Sequence, residues 1–252
     1  MSSRKQGLTS LHAGLFVGLA VLGAAGPTLA AGGHYPPSAV FARDAVAYGR
    51  TYSEWSAAWY QWVSTQPASA NPLFDTAPCS AGQSGPVWFL GGRYCSTENA
   101  ECPTLPSERT CTVPAGKALY FPVVNFQCAD AEARLGFCGP AGPVVNEMRA
   151  FIGDGIDQTI NLRAEVDGRA IRGDLKTDFR VQSPFFTSFL PEDNFLAAIG
   201  EAGIGAGQVW VVDDGIYVML KPLPRGPHTL RFTGTFPQYN FTLDFTYYLT
   251  VK

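Results

Sequence analysis

The sequence predicts a mainly β protein: an antiparallel β-sandwich or jelly-roll-like fold with an N-terminal tryptophan-rich helix and one or two short helices. Three observations predict it. Short runs rich in β-branched and aromatic residues recur between turn signals, and several alternate apolar with polar at the strand period of two. Turn formers are abundant, with 27 glycines and 19 prolines in 252 residues, which favours many turns over long helices. All six cysteines fall between positions 79 and 138, the usage of an exported fold stapled by disulfides.

Residues 1–30 read as a signal peptide. Arg4 and Lys5 give a basic start, 11–25 is apolar but short for a membrane span, and Thr28-Leu29-Ala30 offers a cleavage site. That leaves 31–252 as a single secreted β-sandwich domain with peripheral helices. No second stretch has the length and apolarity of a spanning helix. The net charge is −3 and only 15% of residues are charged. Lys and Arg are scattered, which excludes the basic stripe that nucleic-acid binding requires.

The spacing predicts a short helix over 38–48, broken at Gly49. Thr51-Tyr52-Ser53-Glu54 is a capping box, so a second helix should run to about 64 and stop before Pro67. Trp55, Trp59 and Trp62 stand at i, i+4 and i+7 on it. Such a stripe suits a sugar or a lipid surface, but its spacing is also that of a helix face packed on a sheet, and packing is the reading taken. A loop covers 66–83, a short buried strand 87–90, and a polar excursion 93–109.

The rest is organised around 111–128. A turn at 113–116 leads into the apolar run 118–124, with a cysteine at each end of the stretch. Pro122 has no N–H for the ladder, so this strand should lie at a sheet edge or carry a bulge. A loop then spans 129–143. Pro143 opens a helix that Gly153 closes, with Val144, Val145, Met148, Phe151 and Ile152 facing inward. Along 159–166, Ile160, Leu162, Ala164 and Val166 share one face, and Asp167-Gly168 is a two-residue hairpin turn. Residues 170–171 return, 179–182 alternate again, and 184–190 are strongly aromatic. A helix starts at 191–194 and ends at Gly200. The glycine-rich 200–207 lacks the strand-before, helix-after context of a phosphate loop. The close of the chain reads as a hairpin of 208–212 and 216–221 about Asp213-Asp214-Gly215, then strands at 228–234 and 241–251.

The favoured disulfides are Cys128–Cys138 as a local clip, Cys95–Cys102 across a polar loop, and Cys79–Cys111 from the central strand to the segment before Trp88. The sequential set, Cys79–Cys95 with Cys102–Cys111, is the alternative. Zinc is disfavoured because no C-x₂-C pair occurs.

Several segments together carry a resemblance: Trp55-x-x-x-Trp59-x-x-Trp62, the stretch Gly82-Gln83-Ser84-Gly85-Pro86-Val87-Trp88-Phe89-Leu90, Cys111-x-Val113-Pro114-Ala115-Gly116-Lys117, and Phe121-Pro122-Val123-Val124-Asn125. With the closing Pro-Leu-Pro-x-Gly-x-His-Thr-Leu, the chain resembles a family of secreted bacterial proteins of unassigned role over nearly its whole mature length. The resemblance implies export and carries over no functional assignment. The closing segment is also similar to the last hairpin of bacterial immunoglobulin-like sandwiches, a likeness of fold that implies no function.

Catalytic chemistry finds little support. A serine triad needs a histidine relay, and the mature chain has only His34 and His228. Gly82-Gln83-Ser84-Gly85-Pro86 approaches a nucleophile elbow but has Pro86 where the second glycine belongs. Six paired cysteines leave no thiolate. Asp154, Asp157, Asp213 and Asp214 are the candidates for structural calcium, each with a turn-forming alternative, and no other cofactor is expected. Glu54, Asp75, Glu192, Asp193 and Asp244 are the acids near aromatics from which paired glycosidic carboxylates would come.

Asn71, Asp75, Gln83 and Asn125 have no tidy local role and form the candidate binding set, with Cys79–Cys111 holding their segments together. The leading expectation is a secreted, disulfide-stabilised protein with a non-catalytic binding or structural role outside the cytoplasm, its unknown extracellular ligand a glycan candidate. The alternatives are a secreted polysaccharide hydrolase and a domain that docks on another exported protein. A cleft with two facing carboxylates points to the enzyme, and a flat exposed aromatic row points to binding.

Overall fold

A computed structural model describes residues 33–94, 107–139 and 142–252. The signal-peptide reading and the Cys95–Cys102 pairing lie outside the described residues. Ten strands are described in chain order: β1 Val87–Phe89, β2 Ser107–Val113, β3 Ala118–Ala129, β4 Ile160–Val166, β5 Arg169–Ala170, β6 Arg180–Gln182, β7 Phe186–Leu190, β8 Gly207–Leu220, β9 Gly226–Phe236 and β10 Phe241–Val251. Among them run helices α1 Tyr52–Ser64, α2 Asp130–Leu135, α3 Val145–Asp157, α4 Leu175–Asp178 and α5 Phe195–Ala198.

The strands form two five-stranded sheets. One has the order β1-β3-β8-β6 with β7 also paired to β8, and the other runs β2-β10-β9-β4-β5. Most neighbours are antiparallel, but β1 pairs β3 and β2 pairs β10 in parallel. The crossing chain explains the first parallel pair. After β1 it passes to the other sheet as β2 and returns as β3, so β1 and β3 enter their sheet from the same end.

Strand alternation sorts the layers. Phe121 of β3 stacks on Phe232 of β9, facing the second sheet, while Tyr120 stacks on Tyr217 and meets Tyr52 of α1 on the opposite face. Helix α1 therefore covers the outer face of the first sheet. Its capping box is present as the sequence predicts, with Thr51 Oγ1 accepting from Glu54 N and Glu54 accepting from Thr51 N. The tryptophan stripe is core. Trp55, Trp59 and Trp62 are buried and donate their indole N–H groups to Ala47, Leu90 and Ala81 carbonyls.

Pro122 sits inside the sheet, not at its edge, and the register shifts between Pro122 and Val124, so the bulge alternative holds. The sheets approach closely there: a Cβ at Gly234 would lie 2.3 Å from Val124 Cγ1. Other readings need correction. Residues 38–48 hold the end of the 3-10 turn Pro37–Ala39 and further turns, not a helix. The 129–143 loop contains α2, and the polar excursion ends in β2. The hairpin at 208–221 is one unbroken strand, β8. Helix α3 runs past Gly153 to Asp157 because glycine is needed in mid-helix: a Cβ at Gly155 would lie 2.4 Å from the Phe126 ring.

Cys79–Cys111 and Cys128–Cys138 are both formed. The second closes a short loop around α2 and packs with Met148, Ile152 and Val212 in a satellite core. Replacing both Cys128 and Cys138 by alanine is expected to remove about 3 kcal/mol in the chain-entropy picture. Urea denaturation measures it, and an unchanged midpoint would contradict the clip's structural role.

Candidate functional site

The candidate binding residues are firmly engaged. Asn71 accepts from Leu73 N and donates to Val63 O. Gln83 brackets Phe89, accepting from its N–H and donating to its carbonyl. Asp75, in a left-handed backbone conformation, bridges Arg93 (2.8 Å) and Arg109 (2.6 Å). Asn125 donates to Asp213 Oδ1 at 3.0 Å. No hydrogen bond among the described residues joins any of the four to another. Asn125 lines a pocket beside the β3 bulge together with Arg93 and Leu73, whereas Asn71, Asp75 and Gln83 do not line it.

Of the candidate acids, Glu54, Asp193 and Asp244 are also committed, whereas Glu192 is exposed. Glu54 caps α1, and the Thr51 backbone and hydroxyl hold its carboxyl below the usual range. Asp193 accepts from Ser69 N, and the Ser69 side chain and backbone together lower its carboxyl likewise. Asp244 takes a two-pronged contact from Arg231. His228 places Nδ1 on Asp167 and Nε2 on the Pro224 carbonyl, so neither ring nitrogen faces a serine.

Two aspartates that read as turn formers are instead wholly buried in β8. Successive strand residues point to opposite faces, which gives them different surroundings. Asp214 receives Arg180 through Nε (3.0 Å) and Nη2 (2.9 Å), and Gln182 at 2.9 Å. Arg180 also contacts Asp157 and the Gly153 carbonyl. A guanidinium thus joins two of the proposed calcium ligands, and among the described residues no three His, Cys, Asp or Glu side chains converge as metal ligands. Asp213 faces α1, bonded to Asn125 and to Tyr217 OH at 2.9 Å; burial pushes its carboxyl up to about 7. A second carboxyl pair, Glu132 on α2 and Glu201, is raised by burial, Glu201 to about 7. Glu132 is only 2% exposed.

The open chemistry lies on the outer edge of the first sheet, where β7 pairs with β8. Thr187 stands opposite Trp210 and Phe189 opposite Gln208, so these residues share one face with Phe185 at the strand's start. Val209 and Val211 turn inward, and Trp210 turns out. Phe185 and Trp210 stack with ring centroids 5.0 Å apart and planes 14° from parallel. Exposures of 44% for Phe185, 45% for Trp210 and 57% for Phe189 put three large apolar rings on one face open to solvent, an aromatic ledge on which Phe185 and Trp210 are stacked.

Polar groups border the ledge. Asp130 accepts from Trp210 N at 2.9 Å and pairs with Arg134, whose side chain is 61% exposed. Phe185, Trp210, Asp130, Arg134 and Met148 line a shallow pocket of about 220 Å³. The ledge is buttressed from behind: Ser64 of α1 bonds Ser188 at 2.6 Å, and Gln61 donates to the Thr187 carbonyl. Sequence reasoning flagged 184–190 as aromatic but missed Trp210. The outward parity of Trp210 between two buried valines was the available signal.

Fold and cysteines together define a disulfide-clipped β-sandwich protein, and the two disulfides among the described residues fit an oxidising, extracytoplasmic setting. No described helix is long and apolar enough to cross a membrane. No family model matches the chain, and no curated protein matches it. Among solved structures the chain is similar to PbICP-C, solved in complex with falcipain-2, at 10% identity and a TM-score of 0.25, covering 65% of this chain and 98% of that one. It is also similar to Amebosin, at 10% identity and a TM-score of 0.20, covering 67% of this chain and all of that one. Likenesses this slight assign neither fold nor function.

Proposed function

We propose that this is an exported protein that binds glycan chains on the ledge of Phe185, Trp210 and Phe189, without cleaving them. The supporting observation is the stacked, solvent-open pair on a rigid sheet. One face of a pyranose ring carries a patch of C–H groups that packs flat on an indole or phenyl ring, while its hydroxyls reach for charged neighbours such as Asp130 and Arg134. Buried rings cannot serve this purpose, and exposed ones are a standing expense to solubility unless a ligand covers them. The engaged state of Glu54, Asp75, Asp193 and Asp244 favours binding over hydrolysis by a carboxylate pair.

Retention on immobilised polysaccharides tests the proposal. Wild-type protein is expected to bind at least one polysaccharide, and Trp210→Ala to weaken that binding at least about tenfold, as loss of an aromatic anchor does. Released reducing ends that vanish in Asp75→Asn would favour the hydrolase instead. Binding indifferent to Trp210→Ala and Phe185→Ala would remove the ledge from the account.

A further inference from the structure

The pocket beside the β3 bulge is separate from the ledge and differs from it in kind. It encloses about 140 Å³ and is walled by apolar groups, among them Trp59, Leu73, Val124 and Leu243, with Arg93 and Asn125 as its charged and amide members. We propose that it binds a small monocarboxylate with a compact apolar body, of the size of a single aromatic ring.

The size sets the body. An apolar cavity of about 150 Å³ accepts one benzene ring. The charge sets the head. Arg93 and Arg109 share the single carboxylate of Asp75, which among the described residues leaves one positive charge in excess. Arg109 is nearly buried, and its Nη2 has no partner among the described residues. Its Nη1 is held by Tyr247 OH at 2.6 Å, so Arg109 is the fixed member. Arg93 lines the pocket with a side chain 32% exposed and is the member free to turn to an incoming anion.

The surrounding chain keeps the space open. β1 pairs β3 only as far as Tyr120, so the flank of the bulge is left to the segment 91–94. Gly92 passes so near the second sheet that a Cβ there would lie 2.7 Å from Leu243 Cδ1. Asn71 fixes Leu73 through its N–H, and Leu73 in turn accepts from Tyr94 N at 2.7 Å. Three residues that the sequence singled out thus serve one pocket: Asn125 as lining, Asn71 through Leu73, and Asp75 through Arg93. Gln83 serves the Phe89 segment instead.

Amide NMR of the full chain titrated with benzoate, benzamide and acetate tests this. Benzoate is expected to shift the resonances of 91–94 and 123–126 saturably. Benzamide, which keeps the ring and loses the charge, should bind at least tenfold more weakly, and acetate, which lacks the ring, should leave them unmoved. Arg93→Gln should erase the preference for benzoate over benzamide, and Leu243→Trp, which fills the space, should abolish both responses. Arg93 is partly exposed, so its variant remains readable even where the filled pocket does not fold. Equal binding of benzoate and benzamide by wild type would overturn the carboxylate assignment. No shift at either segment, or shifts confined to the Trp210 ledge, would overturn the site.

Discussion

Raising the pH from 5 to 8 is expected to lower the protein's resistance to urea, Asp213 alone contributing about 3 kcal/mol because it keeps its proton in the folded state through most of that range. Its carboxyl is fully buried and raised to about 7 by burial. Below an unfolded-state value of about 3.9 both states are protonated. Between there and about 7 only the folded state is, so each rise in pH favours unfolding, and above about 7 the loss is complete. Glu201 and Glu132, raised for the same reason, act with the same sign. Asp213→Asn mimics the protonated carboxyl, and its amide can still meet Asn125 and Tyr217. The variant should match wild type near pH 5, exceed it at pH 8, and show a shallower profile, the remaining slope coming from the glutamates. A wild-type stability that climbs from pH 5 to 8 would contradict the burial of these acids.

Arg180→Met is expected to cost about 3–5 kcal/mol, since it strips a wholly buried aspartate of its cation. Asp214 has no exposure, and beyond Arg180 only Gln182 donates to it from a side chain among the described residues. The pair joins β6 to β8 while Arg180 also reaches the Gly153 carbonyl in α3, so the loss falls on three elements at once. Arg180→Met combined with Asp214→Asn should be less harmful than the sum of the two single changes, because the double variant buries no unpaired charge. Urea unfolding of the four proteins measures that coupling. A loss below about 1 kcal/mol in Arg180→Met would mean that the ion pair contributes no more than an exposed one.

These aspartates also show where sequence reading stops. The capping box and tryptophan spacing locate α1, since both are local signals. Strand β10 spans the 241–251 run, and the Asp167-Gly168 turn delivers β4 into β5. The two observed disulfides match the favoured pairing. Asp213-Asp214-Gly215, by contrast, has the chemistry of a turn. It lies in mid-strand because Arg180, Asn125 and Tyr217 arrive from other strands or further along β8, and no local pattern announces them. Likewise Gly153 reads as a helix stop, but α3 runs on past it, and it is at Gly155 that a Cβ would meet the Phe126 ring. Strand β2 was hidden because Arg109 points inward, toward Asp75 and the Phe245 and Tyr247 rings. The polar set Asn71, Asp75, Gln83 and Asn125 was visible as residues in want of partners. Their partners were not, because most are backbone groups placed by the fold.

The indole N–H signals of the five tryptophans give the most direct test of the ledge as a glycan platform. Trp55, Trp59, Trp62 and Trp88 are buried and Trp210 is exposed. On titration with an oligosaccharide of a retained polysaccharide, the Trp210 signal should move saturably, the other four should stay in place, and no new reducing ends should form. A Trp210 signal that stays fixed while the oligosaccharide binds, or the appearance of cleaved product, would contradict the account.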